Sequence, residues 1–277
     1  MQNQTLRPPP WLHRLRALRA VVGREVFKFL RQPARLGSAL VRPLLWFVVF
    51  SAGFHNVFGV SIVPPYETYI EYKVYMVPGL LGMVALFNGM QSSLSMVYDR
   101  EMGMMRLLLT APLARGWLLA FKLLGGALLS LLQMLVFLAM ATAFGVDLAW
   151  SALPGLVLAM ASAALLLAAL GLMLSVYVKQ LENFAGTMNF VIFPMFFISP
   201  ALYPLWKLEE SGAQVLLWLA RVNPFTHAVE VIRYASLGQF TAVSWSVVLG
   251  GIVLFFGLAW WGYDPQRGAM RQRGAAA

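Results

Sequence analysis

The sequence predicts an all-α membrane protein with six transmembrane helices and both termini on the cytoplasmic side. Three observations carry that reading. Apolar residues make up 60% of the 277 positions and charged residues only 12%, about half the charge that a water-facing surface needs. Six stretches, 43–66, 74–98, 123–146, 148–178, 183–206 and 234–263, contain no Asp, Glu, Lys or Arg. Each is long enough for a span, which takes about 20 residues as helix. The third is the placement of the basic residues: with the N-terminus inside, 17 of the 21 Lys and Arg fall on cytoplasmic segments, as the positive-inside rule requires.

These numbers also exclude classes. High apolar content with sparse charge is the reverse of a disordered composition. The net charge of +10 is spread between long uncharged stretches rather than gathered on a soluble domain, which argues against nucleic acid as a partner. Zero cysteines remove disulfides, thiolate metal sites and Cys nucleophiles. The histidines, His13, His55 and His227, are too far apart to suggest a metal site.

Taken in order, residues 1–42 form a cytoplasmic tail and an amphipathic interfacial helix. Trp11, Leu15, Leu18, Val22, Val26 and Phe29 recur at helical spacing, with Arg14, Arg16, Arg19, Arg24, Lys28 and Arg31 on the other face. Forty positions of basic sequence before an apolar core are unlike a cleavable signal. The spans are placed at about 43–60, 74–97, 119–144, 150–178, 183–203 and 243–263 within a membrane domain of 43–263, and a cytoplasmic tail occupies 264–277. The first span is short, with His55 and Asn56 at its far end. Pro194, Pro200 and Pro204 kink or end the fifth.

Between spans two and three, residues 98–117 combine Asp99, Arg100, Glu101 and Arg106 with apolar Met104, Met105, Leu107 and Leu108, punctuated by Gly103 and Pro112. Composition alone reads this as a turn lying among headgroups. Before the last span, Asn223 suits a helix N-cap with Pro224 at the first helical position, and Gly238 suits the stop. His227, Glu230 and Arg233 follow at steps of three and share a face. They read as an ion-pair strip at the interface or as a gate. Asn88, Gln91, Gln133 and Asn189 are uncharged polar residues inside the windows, able to touch a solute or to hydrogen-bond between helices.

The run Asp-Arg-Glu-Met-Gly-Met-Met-Arg-Leu-Leu-Leu-Thr-Ala-Pro-Leu at 99–113 resembles the signature cytoplasmic loop of ABC-2 type permeases, the membrane subunits of a class of ATP-driven exporters. The six-span layout, the basic helix before span one, the Lys179–Phe184 turn and the Asn223–Glu230 segment followed by Arg233 are similar to that family too. The drug-efflux and nodulation-factor-export branches look closest. The resemblance implies a coupling helix that seats in a cleft of a separate ATPase subunit, with Asp99, Arg100, Glu101, Met104, Met105, Arg106 and Leu108 as its contacts. It implies short re-entrant helices before the last span, a second permease copy, and export from a bacterial inner membrane. No Gly-Lys pair occurs in the chain, so it lacks a Walker-type phosphate cradle; no cofactor is expected here, and ATP and Mg belong with the partner ATPase. The competing classes are a secondary transporter, a lipid-anchored scaffold, and an embedded enzyme acting on lipid headgroups. The transporter would show repeated halves and charges near mid-membrane; the enzyme would have only Glu209, Glu210, His227 and Glu230 as acid–base groups.

Overall fold

The computed structural model describes residues 10–31, 33–53, 65–66, 70–102, 114–147, 149–178 and 180–263. Ten α-helices are described: α1 (Pro10–Leu30), α2 (Pro33–Gly53), α3 (Tyr72–Glu101), α4 (Arg115–Ala143), α5 (Leu153–Tyr177), α6 (Leu181–Phe197), α7 (Trp206–Glu210), α8 (Gln214–Val222), α9 (Pro224–Ser236) and α10 (Ala242–Gly262). A short 3₁₀ turn, Trp150–Ala152, leads into α5.

α3 and α5 form the centre. They pack on each other more extensively than any other pair, and α2, α4, α6 and α9 surround α3. Small residues permit the close approach. A Cβ built on Gly89 would lie 2.8 Å from the backbone carbon of Leu167, so the two backbones touch where a side chain would separate them. Gly79 does the same for the segment after α6, where a Cβ would run into the Ala201 carbonyl. Around these contacts Met76, Leu80, Leu86, Met90, Leu166, Leu167 and Phe225 are fully buried.

α10 is the opposite case. Val243, Leu249, Val253, Leu254 and Trp261 point outward, Trp261 with 83% of its surface exposed. Its 21 residues rise about 30 Å, the thickness of a bilayer's hydrocarbon. At its first end Phe240 and Trp150 are exposed, and at its last end Trp117, Tyr177, Trp260 and Trp261, two aromatic belts of the kind that mark membrane interfaces.

Four described helical segments are long and apolar enough to cross a membrane: Tyr72–Glu101, Gly116–Ala143, Trp150–Tyr177 and Ala242–Gly262. These coincide with four of the six expected spans. The other two are shorter. In α2 the apolar stretch covers Leu40–Gly53, because its first turns carry the basic sequence that precedes Pro43. α6 has 17 residues and ends before Ser199-Pro200, where the missing proline N–H stops a helix. Residues 54–60 of the expected first span and the tail 264–277 lie outside the described residues.

α1 lays Leu18, Val22 and Val26 half-buried against the bundle, chiefly α4, and turns Arg16 and Arg19 outward. Leu15, expected on the apolar face, is 52% exposed. The side chains of Trp11, Lys28 and Phe29 lie outside the description.

Candidate coupling and gate sites

The last turn of α3 holds three consecutive charges, and each is bound to a different helix. Asp99 accepts a hydrogen bond from Lys122 Nζ of α4 at 2.7 Å, both side chains about nine-tenths buried. Arg100 Nη2 donates to the Ser175 carbonyl of α5 at 2.8 Å. Glu101 Oε1 accepts from the Leu181 N–H of α6 at 2.8 Å. The family resemblance implies these three residues as contacts of an ATPase; in the structure each also holds a partner within the chain. A cavity of about 20 Å³ beside the Asp99–Lys122 pair is lined in part by Glu25, Ser92, Ser93 and Ser95, with room for a water molecule. Arg24 of α1 pairs with Glu25 at 3.0 Å. The remaining coupling residues, Met104, Met105, Arg106 and Leu108, lie outside the described residues.

In the bundle interior Asn88 Nδ2 donates to Gln133 Oε1, so α3 and α4 satisfy each other's buried amides. The other two polar candidates are not with them: Gln91 and Asn189 are exposed. Asn189 shares its α6 face with Phe190, Phe193 and Phe197, of which Phe190 is 78% exposed. Arg42 of α2 lies over the Phe87 ring at 4.0 Å, and Phe87 meets Phe193 edge-on.

At the opposite end of the bundle, Asn223 does two things. Its Oδ1 accepts from the Phe225 N–H, capping α9, and its Nδ2 donates to the carbonyls of Met195 and Ile198 at 2.7 and 2.9 Å. The α6 terminus, whose carbonyls have no helical partners, is thereby tied to the start of α9. Pro224 holds the first helical position and Gly238, at φ +71°, follows the end of α9.

The strip His227, Glu230 and Arg233 divides. His227 Nδ1 lies 3.8 Å from Glu230 Oε2 and 3.3 Å from Ser244 Oγ of α10. Ser244 donates to Glu230 at 2.6 Å, and His227 Nε2 lies 2.9 Å from the Arg221 carbonyl. A carbonyl only accepts, so Nε2 donates to it, and the single Ser244 hydrogen serves Glu230 or Nδ1 in turn. Arg233 turns away into the bundle: 4% exposed, it donates to the Pro200 carbonyl at 2.6 Å and sits 4.2 Å from the Tyr75 ring centroid. No carboxylate among the described residues lies within ion-pair distance of it. Tyr72 and Tyr75 donate to the carbonyls of Leu202 and Pro200, and Tyr66, whose phenol burial pushes up, is pulled the other way by Arg233.

Sequence reasoning missed Lys122, Ser175, Ser244 and the tyrosines. Lys122 carried a usable signal, since a lysine at the edge of an apolar window needs a counter-charge. Backbone carbonyls as partners, at Ser175 and Pro200, leave no trace in a residue string. Among the described residues no group of His, Asp and Glu is arranged to hold a metal ion.

Buried helices joined by small residues, an outward apolar helix between aromatic belts, and charges kept to the outer turns of the four long apolar helices define an integral, multi-pass helical membrane protein. The family model for ABC-2 type transporters matches residues 16–237, and the chain belongs to that family. Curated relatives carry the name "Putative transport permease ycf38". The protein from Pyropia yezoensis is 25% identical over 84% of this chain and 76% of its own length. Those from Porphyra purpurea and Cyanophora paradoxa are 28% and 29% identical, each over 79% of this chain and 74% of theirs. Membership of that family supports a transport permease role.

Proposed function

We propose that the chain is the permease subunit of an ATP-binding-cassette exporter, moving a hydrophobic or amphipathic solute or a lipid-linked glycan out of the cytoplasm or inner leaflet. The family match across 16–237 carries this reading. Two permease copies and two ATPase subunits form the working unit, in a bacterial inner membrane, with six spans and both termini cytoplasmic. α2 and α6 are the two spans that stop short by length; a second copy beside them would cover the exposed α6 face. α8 and α9 are the re-entrant pair.

Hydrolysis belongs to the separate subunit, because this sequence has no Gly-Lys phosphate cradle. Binding of ATP brings the two ATPases together, and the segment after α3 passes that motion into the spans as rigid-body rotation. Met104, Met105 and Leu108 suit an apolar contact that repacks through the cycle, with Arg106 as its charge. Asp99, Arg100 and Glu101 anchor the segment to the bundle. His227 and Glu230, joined through Ser244, latch α9 to α10 and act as the exit gate with Asn223, Pro224 and Arg233. Asn88 and Gln133 close the bundle interior as a pair, and Gln91 and Asn189, exposed on the single chain, line the pathway between the two copies.

The test is co-purification of the tagged chain with candidate ATPase subunits, followed by a screen for solutes that raise ATP hydrolysis in proteoliposomes. Recovery of an ATPase whose activity responds to a solute supports the reading. Transport driven by an ion gradient with no ATPase bound would replace it with a secondary carrier.

A further inference from the structure

α5 ends at Tyr177 and α6 begins at Leu181, so only three residues of sequence separate the two helices. A helix leaves its last carbonyls and first N–H groups without partners, with partial negative charge at the former and partial positive at the latter. Arg100 donates to Ser175 O at the end of α5, and Glu101 accepts from Leu181 N at the start of α6. Two neighbouring residues of α3 therefore meet the two sides of one turn, each with the sign of charge that its side requires. α6 has few other holds. It packs chiefly on α3, much of its surface is exposed, and its far end is tied by Asn223 to the carbonyls of Met195 and Ile198.

From this geometry we infer that Arg100 and Glu101 are positioning residues that clasp the α5–α6 turn, so that α6 moves with the end of α3 when the segment following α3 is displaced. The clasp rests on the exporter reading only for the source of that displacement. Its consequence is that the outward face of α6, carrying Asn189 and Phe190, is the part of the bundle that answers to nucleotide. Glu101 then acts through the Leu181 N–H rather than by touching the ATPase.

The absence of natural cysteines makes the experiment clean. Spin labels on Tyr98→Cys and Glu182→Cys, both exposed in the structure, report the distance across the clasp in nanodiscs. Glu101→Gln keeps an oxygen acceptor for the Leu181 N–H, and Glu101→Leu removes it. The unsubstituted chain and Glu101→Gln give one narrow distance distribution, and Glu101→Leu broadens it. In the assembled complex, maleimide labelling of Phe190→Cys changes with ATP and vanadate; Glu101→Leu abolishes that response while the ATPase still co-purifies, and Glu101→Gln restores it. A narrow distribution in Glu101→Leu, or a preserved nucleotide response, overturns the clasp. Loss of the ATPase from Glu101→Leu alone also overturns it, because Glu101 would then be a partner contact. If no ATPase accompanies the unsubstituted chain, the exporter reading fails, and the spin-label distance still decides the clasp.

Discussion

The two ends of the bundle hold their charges in different ways. At the Asp99 end a buried cation meets a buried carboxylate, and the neighbouring charges cap helix termini. At the Asn223 end the buried cation, Arg233, meets a carbonyl and an aromatic ring. The difference teaches what each end tolerates. Removing one member of a charge pair leaves the other charge buried and uncompensated, whereas removing Arg233 leaves only neutral groups unsatisfied. Ion pairing therefore makes the first end the more fragile to single substitutions, although it is not thereby the stronger.

The largest expected effect follows from that asymmetry. Lys122→Met strands the Asp99 carboxylate and should lower stability by about 3–5 kcal/mol, seen as a large fall in the thermal midpoint in detergent. Asp99→Asn with Lys122→Met should recover most of the loss, since no charge is then left alone. A single variant as stable as the parent would mean that water in the neighbouring cavity already solvates the pair, and the contrast between the ends would collapse.

Arg233→Met should cost less, about 1.5–3 kcal/mol for a charged hydrogen bond lost together with the ring contact. Arg233→Lys should not rescue it, because an ammonium cannot present the planar guanidinium face to Tyr75 while reaching Pro200. The same thermal measurement ranks the two substitutions, and a loss equal to that of Lys122→Met would show that an unseen carboxylate serves Arg233. Asn223→Ala follows at about 2 kcal/mol, one N-cap plus two carbonyl contacts. It should also free the end of α6, read as faster amide exchange at 195–198.

Much of this architecture was legible in the sequence for a physical reason: a membrane span must be a long uncharged helix, and both conditions are visible in a string of letters. α4, α5 and α10 therefore lie within about four residues of the spans expected at 119–144, 150–178 and 243–263. α3 ran farther than expected, to Glu101, because Asp99 and Arg100 are helical residues whose charges are met by α4 and α5; a charge in the sequence reads as a loop until its partner is known. The cap at Asn223 was legible because capping is local. The division of the His227–Glu230–Arg233 strip was not. Spacing by three places side chains on a common face, but Arg233 lies deeper, where α3 and the turn at Pro200 take it, and that depth depends on tertiary packing. Gln91 and Asn189 failed as interior residues for a related reason: polarity alone does not say whether a position faces a neighbouring helix of the same chain.

The smallest effect is expected where both ends of an ion pair are wet. Arg221 and Glu209 meet at 2.6 Å, but their side chains are 62% and 49% exposed, and such surface pairs contribute about 0–1 kcal/mol. Arg221→Ala should leave the thermal midpoint nearly unchanged. It should also leave the His227 latch in place, since His227 is held by the Arg221 backbone carbonyl, not by its guanidinium. Ser244→Ala, by contrast, removes the hydroxyl that joins His227 to Glu230 and should loosen α9 from α10 at that end. Amide exchange at 226–231, compared between the two variants, separates the surface pair from the buried network. Equal protection in both would mean that the tight packing of α9 on α3 and α5, not the latch, holds this end closed.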